Sequence, residues 1–249
     1  LLLASSGAVL IEGPKWCGKT TTAEQQANSV IRLQDPDMRD KYQSTIRVKP
    51  SLLLSGGTPR LIDEWQEAPV LWDSVRVMVD KRNEFGQFIL TGSNSIDPKK
   101  KSEFVKHSGS GRIAKMQMLP MSLYESLESN GKISIKELFD NQDLDIDGVM
   151  SDMSIEELIF AACRGGWPAS LYAKSDKAKL QIAKNYVQIV CSTDMSTIDG
   201  VRRNEKVASA ILQSYARNIS TLAKKTVVYR DVNEHLEGVS TTPFDAYLD

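Results

Sequence analysis

Eight residues near the start of the chain, Gly13-Pro14-Lys15-Trp16-Cys17-Gly18-Lys19-Thr20, spell G-x-x-x-x-G-K-[ST] and constrain the fold more than any other feature. The motif has meaning only between a buried strand and a helix, and the sequence supplies both. Ala8-Val9-Leu10-Ile11 is an unbroken apolar run, as expected of a strand covered on both faces in a parallel sheet. Thr21-Thr22-Ala23-Glu24-Gln25-Gln26-Ala27 carries no Gly or Pro and reads as a helix. Gly13 and Gly18 let the backbone curl, so that several N–H groups and a helix N-terminus point at one phosphate chain. Lys19 supplies a mobile positive charge for the β- and γ-phosphates, and Thr20 offers a hydroxyl to Mg2+. Gly13 to Thr20, with Thr21 behind them, are the candidate ATP-binding residues. Bulky Trp16 is expected to point out of the cradle or to pack against a lid, and Cys17 reads as a small loop-filling residue.

A nucleotide hydrolase needs a second element, and Leu61-Ile62-Asp63-Glu64 fits it: an apolar strand end followed by two carboxylates. Asp63 is the candidate to hold Mg2+ through its water shell. Glu64 is the candidate to orient, or take a proton from, the water that attacks the γ-phosphate. A phosphate-transferring kinase has no need of that glutamate, so hydrolysis is favoured. Val75 to Lys81 reads as a helix leading out of this site. Gln87 to Thr91 reads as a third strand, ending at Gly92-Ser93-Asn94-Ser95. Thr91, Ser93 and Asn94 are candidates to touch the γ-phosphate or the lytic water, and the spacing does not choose among them.

Composition narrows the remainder. The chain has 249 residues with 31 Lys+Arg against 32 Asp+Glu, 41% hydrophobic and 25% charged, which is the profile of a folded globular chain and not of a disordered one. No apolar run approaches the roughly 18 residues of a membrane span. Three cysteines, Cys17, Cys163 and Cys191, make no disulfide framework and suit a reducing, cytoplasmic setting. With only His107 and His235, and no Cys-x-x-Cys, a zinc site or a Ser-His-Asp triad lacks its parts. The chain opens at Leu1 without a methionine, and Thr242 to Asp249 read as the opening turns of a helix that is then cut. Both ends therefore read as cuts in a longer protein.

The motifs taken together carry a resemblance. Glu12 to Thr20, Leu61-Ile62-Asp63-Glu64-Trp65-Gln66 and Phe88-Ile89-Leu90-Thr91-Gly92-Ser93 resemble a prokaryotic family of AAA-superfamily P-loop ATPases that carry a C-terminal domain of unknown function. Gly111-Arg112, Leu119-Pro120-Met121-Ser122-Leu123-Tyr124-Glu125 and Arg164-Gly165-Gly166-Trp167-Pro168 continue the match, as do Leu212 to Asn218 and Asp245 to Leu248. The resemblance implies an α/β fold with a parallel sheet in the order 5-1-4-3-2, flanked by helices. It implies a smaller helical region next and then a winged-helix-like segment; the nuclease-like fold that follows in the family is absent here. It also makes Arg112 a candidate arginine finger reaching the γ-phosphate in a neighbouring copy, with Arg164 a weaker candidate phosphate sensor. The domain reading is 1–125 for the ATPase, 126–200 for an acidic linker and lid-like helices, and 201–249 for the truncated winged-helix-like segment.

Charge is distributed unevenly beyond the ATPase. Ser126 to Glu157 hold nine carboxylates against two lysines. Within them Asp143-Leu144-Asp145-Ile146-Asp147-Gly148 opens like a calcium loop, but its twelfth position is Ser154 where an acidic residue is required. The stretch reads as a solvated acidic linker. Ser154 and Glu157 form a capping box for a helix running to Cys163, and Lys177 to Val190 and Glu205 to Arg217 read as amphipathic helices. From Lys174 to Arg230 eleven basic residues face four acidic ones, a footprint that suits duplex DNA. Two readings follow. One is an Mg-ATP hydrolase coupled to a DNA-interacting C-terminal region, a homo-oligomer if Arg112 acts in trans. The other is a nucleotide-gated switch with negligible turnover that acts through a protein partner. No membrane is involved in either.

Overall fold

The computed structural model describes residues 1–93, 109–141, 143–194, 203–236, 239, 244, 245 and 247. The chain divides into two compact units, Leu1–Lys179 and Leu180–Asp249.

The first unit is built on five parallel strands: β1 (Ala8–Gly13), β2 (Ser29–Arg32), β3 (Arg60–Asp63), β4 (Phe88–Ser93) and β5 (Ile113–Gln117). Their order is β2-β3-β4-β1-β5, the expected order read from the other edge. β1 lies between β4 and β5, with Ala8 level with both Phe88 and Ile113. Because side chains alternate along a strand, the apolar run of β1 feeds two cores. Ala8 and Leu10 face one way, with Ile62, Phe88 and Leu90. Val9 and Ile11 face the other, with Leu61 and Ile89. Helix α1 (Lys19–Glu24) covers the second face through Ala23. The first face is covered by the later helix Val70–Arg82 through Leu71, Trp72, Val75 and Val79. Between β2 and β3 lies α2 (Arg39–Val48), so Val70–Arg82 is α3. Trp65 and Trp72 meet at 4.9 Å between ring centroids, adding about 1 kcal/mol beyond the area they bury. Each fully buried Leu, Ile or Phe of these strands contributes about 1.5–3 kcal/mol, which is why the carboxyl edge can carry polar, poorly satisfied groups.

After β5 the chain turns through Ser122, whose N–H and hydroxyl both donate to Glu125 and hold its carboxyl below the usual range. A short helix, Ile135–Asp140, capped by Ser134, interrupts the acidic stretch that read as plain linker. α4 (Ile155–Arg164) begins at the expected capping box: Ser154 Oγ accepts from Glu157 N–H at 3.2 Å, and Glu157 Oε2 accepts from Ser154 N–H at 2.8 Å. α5 spans Asp176–Ile189.

The second unit packs α6 (Glu205–Arg217) against α7 (Lys225–His235) around Ile211, Val228, Val232, Val239 and Phe244. Tyr247 seals the start of α6, its hydroxyl accepting from Asn204 N–H at 2.7 Å and donating to Asn204 O at 3.1 Å. Among the described residues no helix is long and apolar enough to cross a membrane.

Candidate functional site

Parallel strands open their βα loops at one edge, the carboxyl edge, and the loop after β1 is held there by close approach. A Cβ on Gly13 would stand 2.2 Å from Met118 O, so no other residue fits against the chain leaving β5. Gly18, at φ 101°, turns the loop into α1 in a left-handed conformation that side chains resist. Cys17 is buried, its thiol 3.9 Å from Met118 O. Trp16 sits at φ 65° and is 54% exposed; Lys15 and, on the first turn of α1, Thr21 are exposed too, and Pro14 is partly buried.

Lys19 is 5% exposed, and its ammonium donates to Gly13 O at 3.1 Å and Pro14 O at 2.8 Å. The loop's own carbonyls thus hold a buried cation in its mouth. Beside it runs a chain of hydrogen bonds linking the first turn of α1 to β3 and β4. Thr20 Oγ1 donates to Asp63 Oδ1 at 2.7 Å, Thr91 Oγ1 donates to the same oxygen at 2.6 Å, and Glu64 N–H donates to Thr91 Oγ1 at 3.1 Å. Each hydroxyl gives its one proton to Asp63. The start of α1, the end of β3 and β4 are thereby tied at one point. Thr20 and Asp63 present hard oxygen ligands in contact with each other, the donor chemistry that Mg2+ takes alongside phosphates and water. Glu64 follows with φ 54° and ψ 56°, a left-handed conformation for a residue with a Cβ, of the kind that clusters at functional sites.

Thr91 is fully buried and committed to Asp63 and Glu64. Asn94 lies outside the described residues. Arg112 stands just before β5, at the amino edge of the sheet and so roughly 16 Å of strand from the P-loop. Its guanidinium donates to Asp80 at 2.8 Å; that hydrogen bond lowers the Asp80 pKa and raises that of Arg112. The fold does not bring Arg112 to its own chain's site. Arg164, the weaker candidate, has another partner: Nη1 and Nη2 donate to the two oxygens of Glu128 at 2.8 and 2.7 Å, and Nε donates to Gly165 O. That pairing, led by the hydrogen bond from Arg164, holds the Glu128 carboxyl below the ordinary glutamate value.

What sequence reasoning missed is how close the Arg164-to-Pro168 turn lies to the P-loop. A Cβ on Gly18 would be 3.6 Å from Pro168 Cγ and 3.5 Å from Met118 Cε, and Met121 N–H donates to Gly166 O at 2.8 Å. The turn that carried part of the resemblance leans on the phosphate loop. No signal short of the folded contacts could have found it.

Comparison with known proteins agrees on family. Residues 5–127 match the family described as AAA domain, and residues 155–249 match one described as Domain of unknown function (DUF8612). No curated protein matches the chain. Among solved structures, the replication initiator DnaA bound to AMPPCP and single-stranded DNA aligns over 98% of this chain and 82% of its own, at 13% identity and a TM-score of 0.41, too slight a likeness to carry an argument. With the P-loop, the Asp63-Glu64 pair and the five-stranded parallel sheet described above, residues 5–127 form an AAA domain with the fold of a P-loop NTPase, and residues 155–249 match a domain of unknown function.

Proposed function

We propose that the protein binds ATP with Mg2+ at Gly13 to Thr20 and hydrolyses it, coupling turnover to a C-terminal region that contacts duplex DNA. The observation that carries the reading is the Thr20–Asp63–Thr91 chain beside the buried Lys19 ammonium. The loop N–H groups and the start of α1 take the phosphates, and Lys19 leaves the Gly13 and Pro14 carbonyls for the β- and γ-oxygens. Thr20 and Asp63 would hold Mg2+, which offsets the charge of the phosphate oxygens. Glu64 takes a proton from water as its oxygen bonds to the γ-phosphorus and the bond to ADP breaks.

Two further parts belong to this proposal. Arg112 serves a second copy of the chain, where its guanidinium stabilises charge on the transferred phosphate, so the working form is a homo-oligomer. Exposed Lys206, Lys224 and Arg230 in the second unit support a DNA-facing surface on the winged-helix-like segment, whereas Arg217 and Lys225 are paired with Asp231 and Asp245. The expected compartment is the cytoplasm. The test is steady-state Mg-ATP hydrolysis with duplex DNA titrated in, at several protein concentrations. Glu64→Gln should lower turnover by about a hundredfold or more while leaving ATP bound. Tight binding without turnover in the wild type would favour the nucleotide-gated switch.

A further inference from the structure

The hydrolytic reading leaves a neighbour of Glu64 without a task. Gln66 lies in the single turn Trp65–Glu67, and its amide N–H donates to Glu64 Oε2. Its carbonyl oxygen, Oε1, is buried and meets no hydrogen-bond donor among the described residues. Turning the amide over would set Oε1 against the carboxylate, so the chemistry fixes its orientation. Gly92, near the end of β4, makes room for it: a Cβ there would stand 3.0 Å from Gln66 Oε1 and 2.9 Å from Trp65 Nε1. Glu64 is meanwhile held in its left-handed backbone, with its N–H on Thr91. A buried acceptor without a donor is destabilising, and native proteins rarely keep one without a reason.

We propose that Gln66 is a positioning residue for hydrolysis: its N–H aims the Glu64 carboxylate, and the unmet, buried Oε1 is the cost of that orientation. The inference rests on the hydrolytic reading above. The water gives a proton to the Glu64 carboxylate that Gln66 holds, while the water oxygen bonds to the γ-phosphorus and ADP departs with the electrons of the broken P–O bond.

The test is Gln66→Met in the full chain, which keeps the length of the side chain and removes both polar atoms. Steady-state kinetics should show kcat lower by about ten- to a hundredfold, with KM for Mg-ATP and the Kd of a fluorescent ATP analogue within about twofold of wild type. Thermal melting should show Tm unchanged or raised, because the unmet acceptor is gone. A Tm loss of more than about 5 °C would make Gln66 a structural residue and overturn the inference. Turnover abolished by Glu64→Gln but kept by Gln66→Met would also overturn it and leave the hydrolytic reading intact. A wild type without turnover under any condition removes both.

Discussion

Two arginines sit in carboxylate pairs of nearly equal length in regions of opposite character. At the amino edge of the sheet, Arg112 is 2.8 Å from Asp80, and the two side chains are 44% and 43% exposed. In the turn that leans on the P-loop, Arg164 is 2.7 Å from Glu128, and its side chain is 4% exposed against 29% for its partner. Distance does not distinguish them; water does. An exposed pair competes with solvent and contributes little, so Arg112 can leave Asp80 at small expense. A buried guanidinium stripped of its partner is a serious loss, so Arg164 is fixed where it is and keeps Gly165 to Pro168 against the phosphate loop.

The sharpest way to break this comparison is to remove one carboxylate at a time. Glu128→Gln should destabilise the first unit by about 3 kcal/mol, seen as a lower midpoint in thermal or urea unfolding. Acid should do the same more gradually. The Glu128 carboxyl is held below its ordinary value by the hydrogen bond from Arg164, so the unfolded chain takes up the proton first. The pair's contribution is then present above the ordinary glutamate value, near 4.5, and is lost as pH falls through the lower folded value. Melting temperature between pH 7 and pH 3 should therefore fall less steeply in Glu128→Gln than in wild type. Replacing both partners, Glu128→Met with Arg164→Met, should restore most of the loss of the single variant, because no charge is left buried; a double-mutant cycle measures this. The smallest stability effect belongs to Arg112→Ala, whose unfolding should match wild type at low and high salt. Its signature is elsewhere: any steep rise of turnover with protein concentration should disappear.

Much of the nucleotide site was legible because it is local. The P-loop, the Asp63-Glu64 pair behind an apolar strand and the Ser154–Glu157 capping box are patterns within a few residues, imposed by backbone geometry. The alternation of Ala8 and Leu10 with Val9 and Ile11 announced two cores and hence a covered parallel sheet. The partners were not legible, because only closure of the fold creates them. Thr91 is 28 residues from Asp63, and Arg164 is 36 from Glu128. In the sequence Thr91 is one more polar residue near a strand tip, and Arg164 one more helix-end cation. Burial, which selects between phosphate sensor and structural pair, is a property of the closed sheet.

The left-handed backbone of Glu64 has a consequence for the history of such a chain. Glycine or asparagine would sit at φ 54° with less strain. A lineage kept for folding alone, with no demand for turnover, should therefore lose this glutamate early, by substitutions that stability would welcome. Related chains with glycine or asparagine at this position beside an intact Lys19 would be the remnants of such a loss: proteins that still clasp a nucleotide and no longer cut it.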